Sequence, residues 1–258
     1  MNENPNIVDI LLSRKKPGVM VDSSVLIKNV QNRINESLEK GYGYNRSVDK
    51  SEEYLRKRAF HKINMAVLYV DLVNSTKISM KLSSDKLSML MSSFSQEMAH
   101  VINAYNGYVL KFVGDAVIGY FVEGEGTPFQ VAENATKCSE SMVNVVKQGI
   151  NPVLAKKAGL EKISIRIGVD YGKNVVVRYG EDKKRSHVDL LGPTMNVASK
   201  IQNLANSNQI LVGQKIYEIL YPKLQNFVDI TKEIKTRWQY YFEEFDEIYH
   251  VYNYKYEN

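Results

Sequence analysis

Two aspartates stand where a carboxylate is costly. Asp71 lies near the end of the apolar run INMAVLYVDL, residues 63–72, and Asp115 sits at the Gly114-Asp115 break in KFVGDAVIGYF, residues 111–121. A desolvated charge without a partner is strongly unfavourable, so each needs an explanation. If the two strands are sheet neighbours, both carboxylates meet at one edge. Two carboxylates at one point repel and call for a divalent cation, and oxygen donors suit Mg²⁺ or Mn²⁺. The turn after Asp71, from Leu72 through Asn74, Ser75 and Thr76, offers backbone N–H groups to an anion. A metal pair beside an anion-binding turn is the chemistry of a nucleoside-triphosphate site. Taken singly, each aspartate reads as a turn former; their joint placement carries the inference. Lys111 is a further charge in the same hairpin.

The elements that must position these groups are legible in the periodicity. Leu26, Val30, Ile34 and Leu38 recur four apart in residues 23–43, with a Ser start and Gly41 as a stop, which predicts a helix. A short helix is expected over about 50–60, with residues 44–50 as linker. Residues 1–60 therefore form an N-terminal helical extension, whose apolar stripe packs on the main domain or on a second subunit. The main domain, 61–258, opens with the strand at 63–72, followed by a helix over 83–107. Strands YVLKFV and AVIGYF then join at Gly114-Asp115, a pair favoured in hairpin turns. A helix over about 128–148 comes next. ISIRIGVDYG and NVVVRYG are expected to make a further hairpin, and HVDLLG a short strand. The helix PTMNVASKIQNLAN has Pro193 in its first turn. QILVG, a helix at about 213–221 and strands from the aromatic tail complete the chain. The order β-α-β-β-α-β predicts an α+β, ferredoxin-like arrangement.

Bulk properties bound the function. The chain has 258 residues, 44% hydrophobic and 24% charged, as in ordinary globular proteins. No apolar run approaches the ~18 residues of a membrane span, and the start carries no signal-peptide pattern. Cys138 is the single cysteine, so no internal disulfide forms and a cytoplasmic location is expected. Of the net charge of +5, residues 1–62 hold 12 Lys/Arg against 8 Asp/Glu. The remainder is close to neutral, a poor nucleic-acid surface; neither nucleic acid nor membrane is expected as a partner. Arg56-Lys57-Arg58 reads as a solvated helix face and Lys183-Lys184-Arg185 as an exposed loop.

From about Ile63 onward the sequence resembles the class III nucleotidyl cyclases, the catalytic domains of adenylate and guanylate cyclases. LYVDLVNST is similar to that family's first metal-aspartate strand, KFVGDAVIGYF to its metal hairpin, and DLLGPTMNVASK to its base-recognition and transition-state segment. The resemblance implies that Asp71 and Asp115, helped by the Leu72 carbonyl, hold two Mg²⁺ or Mn²⁺ ions. It gives Lys111 and Asp189 the base-reading roles and Asn196 the ribose-orienting one. Where the family has arginine this chain has Lys200, which keeps the charge but loses the two-pronged fit to phosphate oxygens. The family's C-terminal triphosphate lysine has no clear counterpart; the comparable stretch reads FEEFDE, with Lys235 or Arg237 as the available substitutes. The implied reaction is attack of the ribose 3′-OH on the α-phosphorus of an NTP with release of pyrophosphate. It occurs at two equivalent sites across a homodimer, because in that family metal and base residues come from opposite protomers.

Lys111 donates and Asp189 accepts, a pattern that suits adenine, cytosine and uracil and fits guanine badly. Tyr69, two residues before Asp71 and so on the same strand face, stands where purine cyclases carry phenylalanine; its hydroxyl would narrow the base pocket or supply a polar contact, and the ring reads equally as β-prone aromatic core. A stand-alone chain with a helical extension also resembles the Pycsar cyclases, antiphage enzymes that make cyclic UMP or cyclic CMP for a separate effector. The pyrimidine reading is therefore placed ahead of an adenylate cyclase. An inactive nucleotide-binding module is a third reading, and an RNA-recognition fold with the same topology lacks its stacking aromatics here.

Overall fold

A computed structural model describes residues 23–40, 47–123, 126–221, 223–242 and 247–256. Helix α1 spans Ser23–Lys40 and α2 Asp49–Arg56; then follow β1 Lys62–Leu72, α3 Ser75–Lys81, α4 Ser84–Ala104, β2 Tyr108–Val113 and β3 Ala116–Val122. Helix α5, Pro128–Asn144, runs through a π-helical turn, Val145–Ile150, into α6, Asn151–Ala158. The remainder is β4 Ile165–Tyr179, β5 His187–Leu191, α7 Pro193–Leu204, β6 Gln209–Gly213, α8 Gln214–Leu220 and β7 Phe227–Asp229, then β8 Tyr241–Phe242, β9 Glu247–Ile248 and β10 Val251–Tyr254. The main sheet has the order β2-β3-β1-β4-β6-β10-β7, with β5 paired to β4. β1 is antiparallel to both β3 and β4, while β4 and β6 run parallel. This is the expected α+β architecture.

Alternation along β1 divides the core. Ala66, Leu68, Val70 and Leu72 join the cluster built by α4, α5 and α8 on one face. Met65 and Val67 join the other, with Ile118 and Tyr120 of β3, Val188 and Leu190 of β5 and Ala198 of α7. β5 thus folds back over the second face of the sheet, and α2 packs there through Leu55. A third cluster ties α7 to the C-terminal segment through Val197, Ile201, Trp238 and Tyr249.

Helix α1 docks on the main domain. Val30 and Ile34 are buried in the first cluster, and the Arg33 guanidinium donates through Nε and Nη2 to both oxygens of Glu97 on α4. Burial pushes the Glu97 carboxyl up and Arg33 pulls against that shift. The predicted stop at Gly41 and residues 44–46 of the predicted linker fall outside the described residues, and α2 begins at Asp49 within that linker. Among the described residues no helix is long and apolar enough to cross a membrane.

Two expectations are corrected. The hairpin predicted between ISIRIGVDYG and NVVVRYG does not form: β4 is one continuous strand. Gly172, read as a turn, instead makes room for helix α7, since a Cβ there would lie 2.4 Å from Thr194 Oγ1. The helix expected to end near 148 carries on through the π turn to Ala158, with Pro152 tolerated in the first turn of α6.

Behind the sheet, Asp170 is buried at 3% exposure and accepts from the Tyr249 hydroxyl at 2.5 Å. Burial pushes this carboxyl up to about 8. An unfolded aspartate titrates near ~4, so the folded state holds the proton through the window between. Stability from this group is full below pH ~4, falls as pH rises towards 8 and then levels off. Asp170→Asn, which keeps an acceptor for Tyr249, is expected to flatten that decline. The check is thermal melting at pH 5, 6.5 and 8.5, with the variant the more stable at the highest pH.

Candidate active site

Sheet pairing brings the two aspartates together. Asp71 lies opposite Ala116, the residue after Asp115, so the end of β1 abuts the β2–β3 turn. Gly114 makes that turn at φ 61°, left-handed backbone that glycine adopts without strain. Asp71 is buried at 8% exposure, and Asp115 Oδ2 is buried without a hydrogen-bond partner among the described residues. Burial and the adjacent Asp115 carboxyl push Asp71 up against the opposing pull of Arg166. Burial alone would raise Asp115 too. The side-chain contact with Asp71, hydrogen bonding from Ser75 and from its own backbone, and the Arg166 charge hold it below the usual carboxylate range.

Two residues that the sequence reading did not select complete this corner. Arg166 is paired with Asp71 in the β1–β4 register, and its Nη2 and Nε donate to Asp71 Oδ2 at 2.7 and 3.1 Å. Gln202 Nε2 reaches the same oxygen at 3.3 Å from α7. It can do so because α7 lies against Gly168, where a Cβ would sit 2.3 Å from the Gln202 backbone nitrogen. The available signal was an arginine inside the otherwise apolar strand IRIGV, at the end that meets Asp71.

The acidic corner fits divalent cations on its own chemistry. Two carboxylates share it, one with an unpartnered buried oxygen, and the buried Leu72 follows at the strand end. An ion is one of the things that satisfies such an oxygen in a fold. Asn74 stands in left-handed backbone at φ 58°, directly before α3, and Ser75 and Thr76 open that helix.

A second group forms where β5 crosses the sheet. Lys111 Nζ donates to Asp189 Oδ2 at 2.5 Å, with side-chain exposures of 36% and 14%. Asp189 Oδ1 accepts from the Leu190 backbone N–H. Tyr69 is half-buried beside them; burial and then the Asp189 charge raise its hydroxyl pKa. Ile118 pairs with Tyr69 on one side and Lys111 on the other, so all three share one face.

Asn196 and Lys200 are exposed one turn apart on α7. Lys200 also lines a cavity of about 450 Å³ with Asn203, Arg237 and Trp238, which puts Arg237, and not Lys235, beside it. Residues 243–246 of the stretch FEEFDE lie outside the described residues.

Comparison with known proteins places the fold and the family. A cytidylate cyclase of Staphylococcus aureus is 32% identical over 179 residues, 64% of this chain and 40% of that protein. A uridylate cyclase of Rhodovulum sp. is 31% identical over 152 residues, 55% of this chain and 59% of that protein. The chain thus spans about 35–59% of the length of the first curated relatives it matches. Among solved structures, an adenylyl cyclase from P. aeruginosa superposes with a TM-score of 0.64 at 22% identity, covering 77% of this chain and 96% of that one. A guanylyl cyclase gives a TM-score of 0.63 at 18% identity, covering 76% of this chain and 93% of that one; both speak to the fold alone. The family model described as the adenylate and guanylate cyclase catalytic domain matches residues 58–245, and the chain belongs to that family.

Proposed function

We propose that this protein converts a pyrimidine nucleoside triphosphate, CTP or UTP, to its 3′,5′-cyclic nucleotide and pyrophosphate. The observation that carries the reading is the junction of Asp71 and Asp115, with a buried carboxylate oxygen left without a partner among the described residues. Two divalent cations bound there, Mn²⁺ or Mg²⁺, would lower the pKa of the ribose 3′-OH and screen the phosphate charge.

The chain's own residues take the other tasks. Lys111 donates to a ring nitrogen or exocyclic oxygen and Asp189 accepts from a ring or exocyclic N–H, which orients cytosine through N3 and N4 or uracil through O4 and N3–H. Tyr69, beside Asp189, narrows that slot in favour of the smaller ring. Asn196 orients the ribose, and Lys200, with Arg237 beside it, supplies positive charge where phosphoryl oxygens gain negative charge. Asn74, Ser75 and Thr76 offer N–H groups to the phosphates.

A homodimer completes two equivalent sites, with the acidic corner of one protomer facing the base-reading pair of its partner. In support, Phe112 and Val113 beside Asp115 are 40% and 52% exposed, and Leu191 near Asp189 is 48% exposed. These apolar side chains would be covered by a second copy. The product then serves as a second messenger in antiphage defence, read by a separate cyclic-nucleotide-binding effector in the cytoplasm. The names of the similar cytidylate and uridylate cyclases support the pyrimidine preference.

An adenylate cyclase is the second reading. Adenine N1 and N6 satisfy the same Lys111–Asp189 pair, and several relatives bear that name. Incubating the full chain with each of the four NTPs and Mn²⁺ separates them. Cyclic CMP or cyclic UMP is the expected product; cyclic AMP alone overturns the pyrimidine assignment.

A further inference from the structure

A second cavity, about 410 Å³ in volume, opens between α3, the start of α4 and the connection from α6 to β4. Its walls are apolar: Ile78 and Leu82 from the α3 side, Leu90 from α4, and Leu160 and Ile163 from the connection. Leu90, Leu160 and Ile163 are buried in the main core at 1%, 6% and 6% exposure, so the floor of the cavity is the core itself. Its volume is within the range of small-molecule sites.

The rim has one dominant charge. Lys81, Lys86 and Lys162 line it against the single carboxylate of Glu161. Glu161 is 91% exposed and stands 3.8 Å from Lys81, a loose surface pair of the kind that contributes little. Among the described residues neither Lys86 nor Lys162 has an ion-pair partner. Helix α3, which roofs the cavity, buries none of its seven residues and has no side-chain cap at its N-terminus. An apolar slot with a cationic mouth under a lightly held helix suits one ligand class.

We propose that this cavity binds a single-chain amphipathic anion, a medium-chain alkyl carboxylate or alkyl phosphate. The hydrocarbon lies along Leu82, Leu90, Leu160 and Ile163, and the head group sits among the three lysines. The cavity lining shares no residue with the Asp71–Asp115 corner, although α3 begins at Ser75, which hydrogen-bonds Asp115, and the assignment does not depend on the reaction proposed above.

Isothermal titration of the full chain with decanoate tests it, with octanoate, decanol and inorganic phosphate as comparisons. Decanoate is expected to bind at one site per chain. Octanoate, two methylenes shorter, is expected to bind roughly tenfold more weakly, and inorganic phosphate not measurably. Replacing the lysines together (Lys81→Ala, Lys86→Ala, Lys162→Ala) is expected to weaken decanoate at least about threefold while leaving decanol unchanged. Amide exchange across Ser75–Lys81 is expected to slow when decanoate is present. No saturable binding, octanoate binding as tightly as decanoate, unchanged decanoate affinity in the triple variant, or unaltered exchange in α3 would each overturn the assignment. The chain-length comparison and the exchange measurement use the parent protein, so a variant that folds poorly does not blunt the test.

Discussion

Asp115→Ala is expected to lose cyclic-nucleotide formation with every base, by on the order of 10³-fold or more, while melting only slightly lower than the parent. The two halves of this result have separate causes. Alanine removes the proposed metal ligand with its buried oxygen. It also removes the contacts from Ser75, the local backbone and the Arg166 charge that hold the ionised Asp115 carboxyl below the usual range, a net contribution to the fold that outweighs the cost of burial. Asp71→Ala is expected to be equally inactive but less stable, because it strands the Arg166 guanidinium and the Gln202 amide that donate to it. Product chromatography after incubation with each NTP and Mn²⁺, alongside thermal melts, reads both variants. If Asp115→Ala keeps more than a tenth of the parent's turnover, the metal role fails.

Lys111→Glu is expected to change which base is used and not whether the reaction runs. The Lys111–Asp189 pair at 2.5 Å presents one donor and one acceptor. With glutamate both members accept, so cytosine and adenine each leave a ring nitrogen, and uracil its O4, facing a carboxylate, whereas guanine offers N1–H and N2–H to both. Sites that read a base by hydrogen bonds discriminate strongly, because the wrong partner leaves buried groups unpaired. The ratio of GTP to pyrimidine turnover is expected to rise at least about 100-fold. Equal loss with all four NTPs, in a variant that melts like the parent, would show that Lys111 does not read the base. Loss of folding would place it in the structural role that its ion pair with Asp189 also permits.

Much of this site was legible in the sequence because charge within apolar strands has few bland explanations. Asp71, Lys111 and Asp115 announce themselves in that way, and the Gly114-Asp115 turn is local chemistry. Arg166 was legible only as a charge: in IRIGV it also passes for the outward residue of an alternating strand, and only the register opposite Asp71 gives it a partner. Asp189 was selected by resemblance, while its contact with Lys111 depends on β5 folding back over the sheet, a tertiary fact. The misread segments fail for a related reason. Gly172 looks like a turn and serves a helix-to-strand contact; Gly149 and Pro152 look like a helix end, yet the glycine lies in a π turn and the proline in the first turn of α6. Local punctuation in these places answers to distant neighbours.

The Arg166 guanidinium on Asp71 has a consequence for the order in which a working site fills. On the proposed reading, a free divalent ion arriving alone has to evict a guanidinium hydrogen-bonded twice to a buried carboxylate. A triphosphate arriving with its ion also brings oxygens to which the guanidinium can transfer. Ion and nucleotide would then bind as positive partners, each weak without the other, and the resting protein would remain unloaded at ion levels that saturate it once substrate is present.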